Sequence, residues 1–225
     1  MINKKTLLII LIITILILGG IFYFFKNKPV KIEKKEFPYL IDFSIAKNIS
    51  EQQLERLKQD YETAKEKYKK NPDSFDALMT FAFIYYQLGD FESARDIYIK
   101  VGEISPKNYS SFWNLGNTYI KLKDYSGAEK AYLKAIENGP DQPRHYIALG
   151  ELYWYFIPEK KSQIPDLYKK GLQELPGDYD LLISLAQYYK EIGDKKNAIK
   201  YYQEIIDNYP EKEGVIRAEM AEISP

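Results

Sequence analysis

The chain has 225 residues, with 32 Lys plus Arg balanced by 32 Asp plus Glu, so its net charge is zero. It has no cysteine and a single histidine, His145, which excludes disulfides, thiolate chemistry and a structural zinc site built from the usual ligands. The charge is unevenly spread: residues 1–36 carry seven Lys against Glu33 and Glu36, which leaves the rest mildly acidic and argues against a nucleic-acid footprint.

Thr6 to Phe25 reads TLLIILIITILILGGIFYFF, 20 residues without a charge. At a helical rise of about 1.5 Å per residue this stretch spans roughly 30 Å, the thickness of a bilayer core. Phe22, Tyr23, Phe24 and Phe25 sit at its end, where an aromatic belt would lie, and Lys26 and Lys28 follow at head-group level. Residues 1–25 are therefore expected to form a transmembrane anchor. A cleaved signal peptide is the rival reading, but the small-x-small cleavage pattern around Gly19 and Gly20 is weak. Orientation pulls two ways. The lysines downstream of the span favour a cytoplasmic domain, whereas a short basic N-terminus before an apolar core stays inside and long domains cross largely regardless of charge. The expectation is a single-pass membrane protein with its large domain outside the cytoplasm.

Residues 26–49 read as a basic and apolar linker. Within it, Phe37 to Ile45 (FPYLIDFSI) is apolar, and Pro38 discourages a helix from starting there. This segment either docks on the following domain, with its groove as one possible seat, or serves a partner or a membrane surface. A helix is expected over 51–70. Ser50 and Gln53 have the spacing of a capping box, and Leu54, Leu57, Tyr61, Ala64 and Tyr68 form one stripe at steps of three and four.

Self-comparison then reveals a repeat. Proline returns at Pro72, Pro106, Pro140, Pro176 and Pro210. Tyrosine returns in two columns, Tyr85, Tyr119, Tyr153 and Tyr189, then Tyr98, Tyr132, Tyr168 and Tyr202. Small residues recur at Ala82, Gly116, Gly150 and Ala186, and again at Ala94, Ala128 and Ala198. Turn pairs fall at Gly89-Asp90, Lys123-Asp124 and Gly193-Asp194. Each unit reads as helix, polar turn, helix and a proline-marked turn. Small residues permit close helix approach, tyrosines fill the space between helices, and proline cannot continue the second helix. One such pair cannot bury its own apolar stripe, so units must stack.

The run Phe112-Trp-Asn-Leu-Gly-Asn-Thr-Tyr119, followed by Asp124-Tyr-Ser-Gly-Ala128, Tyr132, Ala135 and Pro140, resembles the tetratricopeptide repeat. The resemblance implies an α-α superhelical solenoid over residues 50–225, which together with the N-terminal transmembrane helix makes an all-α protein. The units fall at 75–108, 109–142, 143–178 and 179–212, with 51–70 as a preceding half-repeat and 213–225 as a C-terminal cap carrying Ile216, Met220 and Ile223 on one face. The first unit departs mildly, with Phe81 and Ala82 where Leu and Gly are usual. The third departs most: Phe156 to Asp166 (FIPEKKSQIPD) replaces its tight turn, and Pro158 and Pro165 are expected to interrupt helix there.

No phosphate loop, nucleophile elbow or metal-ligand cluster is legible, so no enzymatic activity, cofactor, metal or small-molecule substrate is expected. His145, between Arg144 and Tyr146, is expected to be a surface or helix-start residue. In the resembled family the first helix of each unit lines a concave groove that takes a peptide or a helix. Carried over by position, that groove offers Met79, Phe83, Tyr86 and Gln87, then Trp113, Asn114, Asn117, Ile120 and Lys121, then Arg144, Ile147, Glu151, Trp154 and Tyr155, and finally Ile183, Gln187, Lys190 and Glu191. The Lys and Asn clamp by which chaperone-tail readers hold a C-terminal carboxylate is not matched, since Met79 and Phe83 stand at its first two positions. The tryptophans and Phe83 are equally open to groove contact and to packing between helices. The expected function is a membrane-tethered scaffold that binds protein partners. A structural or self-associating envelope protein is the alternative, and a non-catalytic subunit of an enzyme complex a further one.

Overall fold

The computed structural model describes residues 41–46 and 49–223. The apolar span 6–25, the lysines that follow it and Phe37–Leu40 lie outside the described residues. Among the described residues no helix is long and apolar enough to cross a membrane. From Asp42 onward the chain forms one unit. Its α-helices in chain order are α1 (Glu51–Lys70), α2 (Phe75–Leu88), α3 (Phe91–Ile104), α4 (Tyr109–Lys121), α5 (Tyr125–Asn138), α6 (Pro143–Tyr155), α7 (Ile164–Glu174), α8 (Tyr179–Glu191), α9 (Lys195–Asn208) and α10 (Glu213–Ile223).

Helix starts follow local chemistry. Ser50 accepts from the Gln53 N–H at 3.2 Å while the Gln53 side chain accepts from the Ser50 N–H, a complete capping box for α1. Ser74, Asp90, Asn108, Asp124, Asp178 and Asp194 each accept from the N–H three residues on, supplying a partner for a helix-end donor. The turn pairs act in two steps. Gly89, Lys123 and Gly193 adopt positive φ (85°, 60° and 78°) to end the first helix, and the following Asp starts the second. The extended third unit is built differently. α6 ends at Tyr155, a 3₁₀ segment runs over Pro158–Gln163, and α7 follows at once. Pro165 does not interrupt helix there. It lies in the first turn of α7, where its missing N–H would have no intrahelical acceptor.

Neighbouring helices pack in sequence, each against the next, so the core runs as a row along the stack. Its repeating contact is tyrosine on a small residue. Tyr98, Tyr132, Tyr168 and Tyr202 are 5% exposed or less, and Ala82, Gly116, Gly150 and Ala186 are fully or almost fully buried. A Cβ on Gly116 would meet the Tyr132 ring, and one on Gly150 would meet the Tyr168 phenol oxygen. At the start of the stack, Leu57, Tyr61, Ala64 and Tyr68 of α1 are buried. At its end, Ile216 and Ile223 of α10 are buried, and Met220 packs against the core beside them.

Of the apolar linker segment, only the part from Ile41 is described. Phe43–Ile45 makes a 3₁₀ turn started by Asp42, whose side chain accepts from the Ser44 N–H at 2.9 Å. The Phe43 ring stands edge-on to Tyr61 of α1, centroids 5.7 Å apart. This docking is on the half-repeat helix, and residues 42–46 line none of the clefts described next.

Candidate partner-binding groove

Equivalent positions on the first helices face the same side. Phe83, Asn117, Glu151 and Gln187 occupy one such row on α2, α4, α6 and α8, and Gln87, Lys121, Tyr155 and Glu191 another. Between these helices lie three clefts in series. The first, about 250 Å³, is bounded by Phe83, Tyr86, Gln87, Tyr98, Trp113, Asn114 and Asn117. The second, about 260 Å³, shares Tyr86 and Asn117 with it and adds Lys121, Glu151, Tyr155 and Phe156. The third, about 420 Å³, lies chiefly between α6 and α8 and is walled by Ile147, Glu151, Trp154, Tyr155, Gln187 and Tyr188.

The structure thus places Phe83, Tyr86, Trp113, Asn114, Asn117, Lys121, Ile147, Glu151, Trp154, Tyr155 and Gln187 on cleft walls. Ile120, Lys190 and Glu191 also line clefts. Met79, Arg144 and Ile183 do not. Met79 is half-buried on α2, and Arg144 lays its guanidinium over the Trp113 ring, 5.0 Å from the centroid. Aromatic walls are partly open to solvent: Phe83 is 46% exposed and Tyr155 69%. Trp113 and Trp154 are half-buried, and each lines a cleft. Trp113 Nε1 is buried without a hydrogen-bond partner among the described residues. Asn117 is oriented by Tyr132, whose hydroxyl donates to its Oδ1 at 2.7 Å.

Tyr188 and Glu219 are among the cleft residues that escaped sequence reasoning. Tyr188 is half-buried on α8, but its equivalents Ile84, Thr118 and Leu152 are core residues, so its column gives no sign of a wall position. Glu219 comes from α10, outside the repeat, and reaches the third cleft because Lys190 of α8 bonds it at 2.8 Å and Glu222 at 2.6 Å.

His145 corrects the expectation of a surface residue. It sits in the first turn of α6 but is fully buried, with Nδ1 3.1 Å from the Gly139 carbonyl and the Tyr109 ring 5.2 Å away. The carbonyl can only accept, so the neutral ring carries its proton on Nδ1, and Nε2 is left buried without a partner. Burial pushes its pKa below the usual imidazole value, opposed by the Gly139 carbonyl. The equivalent residues Ala77, Ser111 and Leu181 are all fully buried too, but a column so mixed in residue type carries no pattern in the sequence. Among the described residues no group of three His, Asp or Glu is placed to hold a metal.

Models of the tetratricopeptide repeat match residues 56–115, 110–142 and 180–212. A stretch of 52 residues is 33% identical to tetratricopeptide repeat protein 8 of Mus musculus, covering 23% of this chain and 10% of that protein. The chain therefore spans about a tenth of the length of that relative. Among solved structures, MamA superposes with a TM-score of 0.57 at 19% identity, over 75% of this chain and 99% of MamA. The pilF protein of Pseudomonas aeruginosa gives 0.57 at 19% identity, over 68% of this chain and 69% of its own. TTC0263, a thermophilic tetratricopeptide protein of Thermus thermophilus, gives 0.51 at 18% identity, over 71% and 86%. At these identities the structural likeness establishes the fold alone. The matched repeat models, the superhelical stacking of helix pairs and the tyrosine-on-small-residue core agree, and this chain belongs to the tetratricopeptide-repeat family.

Proposed function

We propose that this chain is a membrane-tethered scaffold whose solenoid recruits a protein partner through the concave row of clefts. The observation that carries the reading is that three clefts follow one another along the first helices, walled by aromatic side chains left partly open, with Phe83 46% and Tyr155 69% exposed. Aromatic anchors in a concave pocket are the residues that dominate interface energies. The uncharged stretch Thr6–Phe25 supports the tether, and a tether would raise the groove's effective concentration for partners in the same membrane. The solenoid is placed outside the cytoplasm in this reading. Its role is binding, with no catalysis and no cofactor.

The test is capture from membranes by the full-length chain, with Trp154→Ala and Tyr155→Ala introduced together. A distinct partner that is captured by the wild type and lost from the variant, with unchanged helical circular dichroism, supports the reading. Capture that is indifferent to both substitutions refutes it. Persistent association of the chain with itself alone would favour a structural role. Protease accessibility of the solenoid in intact cells decides the compartment.

A further inference from the structure

We propose that the cleft between α6 and α8 takes a basic side chain, a lysine or arginine of the bound partner segment. This rests on the groove reading above and names the chemistry of one of its seats. The walls of this cleft are aromatic. Trp154 and Tyr188 meet edge to face with centroids 5.8 Å apart, Tyr155 stands 69% exposed at the mouth, and Tyr168 lies at the floor beside Gly150. Ring faces carry negative potential and attract a cation placed over them. The protein already uses one face in this way: Lys161, on the 3₁₀ segment of the third unit, holds its ammonium 4.3 Å from the Trp154 ring.

The charges in the cleft point the same way. Glu151, Glu191 and Glu219 line it, together with a single cation, Lys190. That cation is already satisfied, because Glu219 and Glu222 both bond it. Glu151 and Glu191 form no ion pair among the described residues. Two carboxylates without an ion-pair partner among the described residues therefore line a half-enclosed aromatic cavity of about 420 Å³. Both carboxylates are exposed, so their pull on an incoming ammonium or guanidinium is screened by salt, and the ring faces beside them add to it.

The other two clefts differ. The first has no charged residue on its walls, only aromatic and amide side chains. The second carries one residue of each sign on its rim, Lys121 and Glu151, which are not bonded to each other. The groove is thus graded, apolar and amide-lined at the α2–α4 end and acidic and aromatic at the α6–α8 end. A bound segment would lie with an apolar residue towards Phe83 and Trp113 and a basic residue towards Trp154 and Glu191.

The experiment uses the full-length chain in detergent and two labelled octapeptides, one alternating Arg with Ser and one alternating Glu with Ser, read by fluorescence anisotropy. The Arg peptide should bind, weaken as salt is raised, and lose roughly tenfold in affinity when Glu151→Gln and Glu191→Gln are combined. The pair Glu103→Gln and Glu174→Gln, which removes equal charge at residues that do not line the cleft, should leave affinity within about twofold. Equal binding of both peptides, or Arg-peptide binding that survives E151Q with E191Q, or that falls equally with the control pair, overturns the assignment. If partner capture is still lost on Trp154→Ala with Tyr155→Ala, the groove reading stands while this one fails. Arg-peptide binding that needs both glutamates supports this assignment even if membrane capture proves indifferent to those aromatics.

Discussion

Gly116→Ala sets two physical effects of known size against each other. Gly116 lies within α4, and by helix propensity alone alanine there should stabilise by about 1 kcal/mol. The structure predicts the opposite sign. A Cβ on Gly116 would overlap the Tyr132 ring, with Cδ1 at 2.5 Å and Cζ at 3.0 Å. That ring has little freedom to yield: Tyr132 is 3% exposed and its hydroxyl is engaged by Asn117 at 2.7 Å. Relieving the overlap requires α4 and α5 to separate, and overpacking of this kind costs about 1–3 kcal/mol in well-packed cores. The overlap should outweigh the propensity gain, leaving a net loss of up to about 2 kcal/mol, or at most roughly 4–8 °C in the melting temperature of a chain this size. Ala82 and Ala186 hold the same position in the first and last units, fully buried, so the tolerance for a methyl group is local rather than a property of the repeat. The control is Gly214→Ala in α10, where a Cβ meets nothing within 4 Å, and where alanine should stabilise by about 0.5–1 kcal/mol. Midpoints of chemical denaturation, followed by circular dichroism on both variants, make the comparison. If Gly116→Ala stabilises as much as Gly214→Ala, the claim that Tyr132 packs onto a bare backbone is wrong.

Lys123 is the non-glycine residue with positive φ among the described residues, at 60°, and its counterparts in two other units are Gly89 and Gly193. Lys123→Gly should therefore stabilise by about 0.5–1 kcal/mol despite adding a glycine, read as a higher denaturation midpoint. Asp194 accepts from the Asn197 N–H at 3.1 Å to start α9, so Asp194→Ala should lower stability by about 1 kcal/mol, and Asp194→Ser should recover most of it. His145 makes stability depend on pH. Its folded pKa lies below the unfolded value of about 6.5, so the folded state resists protonation; stability is full above that value and falls as pH drops through the window beneath it. His145→Gln should lower stability at neutral pH yet flatten the acid limb, so melting temperatures of wild type and variant should converge as pH falls below about 6.5. Parallel curves would exclude His145 as the titrating group.

The periodic features were legible because each unit solves the same packing problem with the same residues. Tyr98, Tyr132, Tyr168 and Tyr202 return in phase with Ala82, Gly116, Gly150 and Ala186, and a large ring can be buried against a helix only where its neighbour offers little or no side chain. Helix boundaries were readable for a similar reason: Ser50, Asp90, Asp124 and Asp194 act through backbone atoms three residues away, so no distant part of the chain is needed to place them.

What the order of residues could not decide was which side of a helix a residue outside the columns would meet. Arg144 reads as a groove residue by position, but the Trp113 ring lies within reach and draws the guanidinium onto it. His145 reads as a helix-start residue, but Gly139 and Tyr109 close over it. Glu219 belongs to no repeat, and it enters the third cleft only because Lys190, one helix pair earlier, bonds it across the end of the stack. The repeating architecture, its helix starts and its core columns are thus set by local spacing in this sequence. The graded charge of the groove, neutral at one end and acidic at the other, arises only when helices far apart in the chain are brought side by side, because charge in a cleft is a sum over neighbours in space.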